Sequence, residues 1–299
     1  MTIINYASDG LYPELIALFR SIAHLGTVDA KSVIDACSPW PVQDAGNAAR
    51  LKGALGRWTE LGLFVSDGGN LKIHERFNKK KRGESVNDLS ARLPDACRTL
   101  MLEAHNCLPL WGDSPGTTAD FVRGAAWVLA QDIYTLPTSW TAVEQQQNEQ
   151  TTAGKISEND VRWNGLRFWM RYLGFATGDG SNFQADPTAA VKAELPELFG
   201  SRTELPAHDF VSGLARRLPV LDFGEYRRMV EDTLKPAKWR RPQSGHLSMS
   251  LSLALRRLAL DNIIRLEGKA DAGASYRLTG RDYRTWHGFE SVLWTGRSA

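Results

Sequence analysis

The densest grouping of side chains able to do chemistry in this sequence is KWRRPQSGH, residues 238–246, where Lys238, Arg240 and Arg241 flank Trp239. Three cations supply the charge that phosphate oxygens attract, and the indole among them offers a face on which a base or sugar can stack. Serines follow at 244, 248 and 250, and Ser248 stands where a hydroxyl at a helix start could donate to a phosphate. Arg256 and Arg257 continue the series on the next predicted helix. A second basic set lies towards the other end: Arg50, Lys52 and Arg57 on a predicted helix, Lys72 in a short alternating run, then Lys79, Lys80, Lys81 and Arg82. Any one of these runs reads equally well as a solvated face or a linker. Two of them, each beside a predicted unit of the same kind, point to nucleic-acid backbone. With about six to eight phosphates neutralised, such binding would weaken steeply with salt.

Catalytic signatures are missing. There is no GxxxxGK[ST] phosphate loop, no GxSxG elbow, no HExxH helix and no Cys-His grouping. The six histidines, His24, His74, His105, His208, His246 and His287, stand singly, and His208-Asp209 is the only adjacent His-Asp pair. Cys37, Cys97 and Cys107 form no CxxC pair and read as buried thiols rather than zinc ligands. The expectation is a non-enzyme with no catalytic residue, metal or cofactor.

Composition sets the frame. A hydrophobic share of 42% and a charged share of 23% are those of a folded globular protein, and 299 residues suffice for about two or three domains. The net charge of +2 argues neither for nor against nucleic acid. No apolar run approaches the roughly 18 residues of a membrane span, and the opening Met-Thr-Ile-Ile-Asn lacks a secretory signal's pattern. The expected location is the cytoplasm, away from membranes.

The elements that must carry the cations show a repeated phrase. ELGLFVSDGGNLKIH from Glu60, YLGFATGDGSNFQAD from Tyr172 and LDNIIRLEGKADAGASYRLT from Leu260 each end a helix and lead into a predicted hairpin. At the junction stand Gly62, Gly174 and Asn262, residue types that tolerate a left-handed backbone. In the first copy three predicted helices precede the hairpin: Leu11, Leu15, Leu18, Phe19 and Ile22 mark the first, VDAKSVIDAC the second, and Leu51, Leu55, Trp58 and Leu61 the third. That order is the order of a winged helix-turn-helix. The same phrase also occurs wherever a helix feeds a hairpin, so its weight lies in the threefold recurrence.

The predicted fold is therefore mainly α with small β-hairpins, as two or three tandem winged helix-turn-helix domains joined by helical segments. The boundaries read as a winged domain over 1–78, a helical connector over 79–141, a second winged-helix-like unit over 142–200 and a C-terminal winged domain over 201–299. The middle copy is rich in aromatics, with Trp163, Phe168, Trp169 and Tyr172, and its upstream helices are less distinct. The run from Ala142, AVEQQQNEQTTAGKISEND, reads as an exposed loop, and Pro196 as a break in AAVKAELPELFG. Of the ten tryptophans, Trp58, Trp127 and Trp169 sit at core positions of helices. Trp40, Trp111, Trp239 and Trp286 sit in loop-like contexts open to partners.

Two phrases, IINYASDGLYPELIALFRSIA and TTADFVRGAAWVLAQDIYTLPTSW, together with the layout of the first half of the chain, resemble the DpdG family. Those proteins are accessories of bacterial gene clusters that place 7-deazaguanine bases in DNA and restrict unmodified DNA. The resemblance implies a non-catalytic component of an anti-phage restriction assembly, working beside helicase or nuclease subunits, and supplies no site residues. The expectation that follows is a subunit that binds double-stranded DNA and docks onto other proteins. A stand-alone transcriptional regulator, a protein-only scaffold and a nuclease with a dispersed site are the alternatives.

Overall fold

Leu15, Leu18, Phe19 and Ile22 recur at helical spacing and bury one side of the first helix, α1 (Tyr12–Leu25). The computed structural model describes residues 3–4, 12–38, 45–79, 83–268 and 276–296, and the chain divides into two compact units, Met1–Phe121 and Val122–Ala299. Among the described residues the architecture is mainly helical with small antiparallel sheets, and no helix is long and apolar enough to cross a membrane.

In the N-terminal unit α1 is followed by β1 (Val28–Asp29), α2 (Ala30–Cys37), α3 (Ala45–Glu60), β2 (Phe64–Asp67) and β3 (Asn70–Ile73). Asp29 starts α2 by accepting the Ser32 amide at 2.9 Å, and hydrogen bonding from the Ser32 hydroxyl, with that amide, holds its carboxyl below the ordinary value. Helix α1 packs on both α2 and α3. The return strand β3 lies in the middle of its sheet, paired with β1 and with β2, so the order is β1-β3-β2. Helices α4 (Val86–Ala91), α5 (Leu93–Leu102) and α6 (Ala104–Cys107) close the unit. Cys97 and Cys107 are buried as expected, and burial pushes the Cys97 thiol well up; Cys37 is only partly covered and lies 3.2 Å from the Ser21 hydroxyl.

The second unit contains two further runs of helices and strands. The first comprises α7 (Ala119–Ala130), α8 (Trp140–Gln150), α9 (Asp160–Tyr172) and the pair β4 (Ala176–Thr177) and β5 (Gln184–Ala185). Here the expected loop from Ala142 is corrected: its first nine residues belong to α8. Val143 is the one apolar side chain they bury, beside Gln147 and Gln150, too little to form the apolar stripe by which a helix is recognised. Gln150 accepts from Trp127 Nε1 at 2.9 Å and donates to Gln131 Oε1 at 3.0 Å, while Gln147 accepts the Ser157 amide.

The second run is α10 (Thr188–Phe199), β6 (Glu204–Pro206), α11 (Ala207–Arg217), α12 (Glu225–Glu231), α13 (Met249–Leu260) and β7 (Ile264–Glu267), β8 (Tyr276–Thr279), β9 (Thr285–Phe289) and β10 (Ser291–Trp294). Pro196 does not break α10, because Ala190, Val191, Leu195 and Phe199 bury a face against neighbouring helices strongly enough to carry the proline. Helix α10 packs on α11 and α13, and the sheet order is β6-β10-β7, again with the last strand in the middle. The expected hairpin between β7 and β8 is a further correction. Both strands pair with the β9–β10 segment, Glu267 opposite Ser291 and Tyr276 opposite Phe289, so they follow one another along the same side of one ribbon. The ribbon turns at Gly280–Arg284, and residues 269–275, where the hairpin turn was expected, lie outside the described residues.

The three junctions share one geometry. Gly62, Gly174 and Asn262 have φ of 95°, 81° and 54°. At each, the junction amide donates to the carbonyl three residues back (Thr59, Arg171, Ala259), at 3.1, 3.2 and 3.1 Å. The next amide donates to the carbonyl five back (Trp58, Met170, Leu258), at 2.8, 2.7 and 2.9 Å. This is the Schellman closure, in which a left-handed residue ends a helix and satisfies its last carbonyls.

Candidate nucleic-acid interface

The two ends of the ribbon turn are held by aromatic stacking on cations. Asp282 and Tyr283 both have positive φ, 57° and 59°, so the turn tip presents the Tyr283 ring outward, 39% exposed. Over that ring lies Arg240, its Cζ 4.0 Å from the centroid. On β9 the Trp286 ring rests on the open face of Gly280, where a Cβ would collide with the indole, and Arg256 covers it at 4.3 Å. Arg281 and Arg284 flank the tip, both exposed. Burial raises the Tyr134 phenol pKa, and Arg256, Arg257 and Arg281 all pull it back, which puts three cations near one ring. Among the described residues none of Arg240, Arg256, Arg281 and Arg284 has a carboxylate within ion-pair distance.

The structure brings Arg240 and Arg256 of the sequence-predicted set together with Trp286, expected only as an anchor open to partners, and adds Arg281, Tyr283 and Arg284, which sequence reasoning missed. The missed signal was RDYRTWH itself, residues 281–287, which alternates cations with aromatics as KWRRP does.

Other predicted contacts are differently engaged. Trp239 is 7% exposed and donates from Nε1 to the Ala130 carbonyl at 3.0 Å, so its indole is core and offers no stacking face: a correction. Ser248 is also corrected. At 3% exposure it is the N-cap of α13, accepting the Leu251 amide, while its own amide donates to Asp222 at 2.6 Å. Lys238 pairs with Glu149 at 3.3 Å, Arg241 with Asp232 at 3.4 Å, and Arg257 with the buried Asp186. In the N-terminal unit Arg50 and Lys52 lie exposed on α3, Lys72 is half-buried on β3 opposite Val65, and Lys79 is exposed. Arg57 is 8% exposed, since the stripe of Leu51, Ala54, Leu55 and Trp58 is wide enough to take it inward; it is a packing residue, not a surface cation. Lys80, Lys81 and Arg82, like Trp40, lie outside the described residues.

The middle helix-and-hairpin run uses its cations internally. Arg167 donates to the Gly180 carbonyl at 2.9 Å and Arg171 to the Gly178 carbonyl at 3.2 Å, so α9 holds its own hairpin turn.

The third helix of each run differs in what it leaves open. On α3, Gly46, Ala49, Arg50, Gly53 and Gly56 are exposed, and a Cβ on Gly53 or Gly56 would meet nothing within 4 Å. On α13, Met249, Ser250, Leu251, Ser252, Ala254 and Leu255 are all buried, with the Ser250 hydroxyl donating to the Leu129 carbonyl at 2.7 Å. The first half of α13 is therefore closed to any partner, and the ribbon is the accessible part of that run.

The family model described as DpdG-like matches residues 1–272. No curated protein and no solved structure matches the chain.

Proposed function

The chain belongs to the DpdG-like family, and from that premise we propose that it is a non-catalytic subunit of a bacterial 7-deazaguanine DNA modification and restriction assembly, binding double-stranded DNA and docking onto helicase- or nuclease-type partners. The observation that carries the DNA part is the ribbon turn, where four guanidiniums with no carboxylate partner among the described residues surround two exposed or half-exposed aromatic rings. Free cations can give up counterion-level hydration to phosphates, whereas internally paired ones must first break a contact.

The reading of the domains as winged helix-turn-helices rests on order and pairing. Helix, short strand, helix, helix and ribbon, with the last strand central in the sheet, occur at 12–73 and, with α12 inserted, at 188–294. The run from α7 to β5 follows the same plan without the first strand. In the N-terminal domain α3 is the helix for a groove, and its small exposed residues let backbone approach closely. In the C-terminal domain the buried α13 leaves the contact to the ribbon. Leu260, 70% exposed at the end of α13, and Phe223, exposed with φ of 62°, are the apolar points suited to protein docking.

A mobility shift on random duplex across a salt series tests this reading. Steep salt dependence without sequence preference is expected, and Arg240→Glu with Arg281→Glu should weaken binding about tenfold or more. Unchanged affinity in that variant would remove the ribbon from the contact surface. Clean magnesium-dependent cutting of the same DNA would overturn the non-catalytic assignment.

A further inference from the structure

Beside the ribbon turn lies a cleft bounded by the residues following α7, the segment before α13 and the turn itself, with Arg240, Arg241, His246, Thr279 and Tyr283 in its lining. Thr279 is the informative residue. It is 7% exposed, its amide donates to Ser252 Oγ at 2.9 Å, and its hydroxyl has no partner among the described residues. A fold gains nothing by burying an unsatisfied hydroxyl, so its presence in a cleft wall points to a ligand that satisfies it.

The chemistry of that ligand follows from the rest of the lining. Among the described residues Arg240 has no carboxylate partner, and Arg241 has only the exposed Asp232. These features suit one phosphate. Asp132, also in the lining, disfavours a second phosphate but can accept from the amino group of a base. Tyr283 and the apolar Leu247 and Ala130 supply surface for a planar ring. A base held in a duplex stack cannot enter a cleft walled on three sides, whereas an unpaired one can.

We infer that the cleft binds the phosphate-bearing terminal nucleotide of an unpaired DNA strand, with the phosphate towards Arg240 and Thr279, and the base against Tyr283. This inference rests on the DNA-binding reading of the adjoining ribbon.

The test uses the full chain and fluorescently labelled oligonucleotides, single-stranded with a terminal phosphate, single-stranded with hydroxyl ends, and duplex. A terminal phosphate should tighten single-strand binding about tenfold, the scale of one hydrogen bond to a charged group. Thr279→Val should abolish that preference, leave duplex affinity unchanged and raise the thermal midpoint, because it deletes an orphaned hydroxyl. Thr279→Ser should keep the preference. No preference in the wild type, with duplex binding intact, overturns the cleft assignment alone. Lost duplex binding with the preference retained overturns the ribbon reading alone, and loss of both overturns both. Inorganic phosphate competing as well as a nucleoside monophosphate would overturn the nucleotide assignment. A lower thermal midpoint in Thr279→Val would mean that the hydroxyl is already bonded in the free fold, and would likewise sink the inference.

Discussion

At Asn262 a side chain stands where two other helix ends use glycine, and its φ of 54° falls in the region that costs ordinary residues about 1–2 kcal/mol. Asn262→Gly should therefore be neutral or stabilise by up to ~1 kcal/mol, while Asn262→Val should cost more than 1 kcal/mol. The two glycines differ in surroundings. A Cβ on Gly62 would meet Leu100 at an ordinary 3.7 Å, but on Gly174 it would come within 2.8 Å of the Ala190 amide nitrogen. Gly174→Ala should thus lose clearly more stability in urea unfolding than Gly62→Ala, and equal losses would contradict the closure geometry. These positions were legible in the sequence because tolerance of a left-handed backbone belongs to the residue type. Burial does not. Arg57, Trp239 and Ser248 have the composition of contact residues, and only the packing around them reveals that each faces inward.

The ribbon illustrates what one element's sequence leaves undecided. Two segments after α13 are rich in turn residues, 268–275 and 280–284, and nothing local says which reverses the chain. The choice is made by β10, some distance on, which pairs with β6 and β7 together. Helix α8 was hidden for a different reason, its inward glutamines bonding to Trp127, Gln131 and Ser157 where an apolar stripe was sought. The turn that does form depends on Gly280, whose backbone is ordinary at φ −99° but whose missing Cβ makes room for the Trp286 ring. Gly280→Ala should displace that ring, cost about 1–3 kcal/mol by overpacking, and weaken DNA binding by releasing Arg256. In a Trp286→Ala background the same substitution should cost little. An equal cost in both backgrounds, read from urea titrations, would show that Trp286 does not depend on the glycine's open face.

For the whole molecule, a net charge of +2 hides how the cations are distributed. In the C-terminal region Lys238 and Arg241 are compensated by Glu149 and Asp232, while Arg240, Arg256, Arg281 and Arg284 have no carboxylate partner among the described residues. The basic run that stands out in the sequence is thus partly neutralised by carboxylates outside it, Asp232 just upstream and Glu149 far back in the chain, and its charge is completed by arginines in a segment that sequence reasoning passed over. Salt titration separates the two classes. Each phosphate contact contributes about 0.9 to the slope of log affinity against log salt. Replacing Arg240 and Arg281 with alanine should lower that slope by about two, whereas replacing Lys238 and Arg241 should barely change it. Equal reductions from the two double variants would mean that the ion pairs open when DNA binds. The contact would then extend from the ribbon across the whole 238–241 segment, with Glu149 and Asp232 acting as competitors for the phosphates.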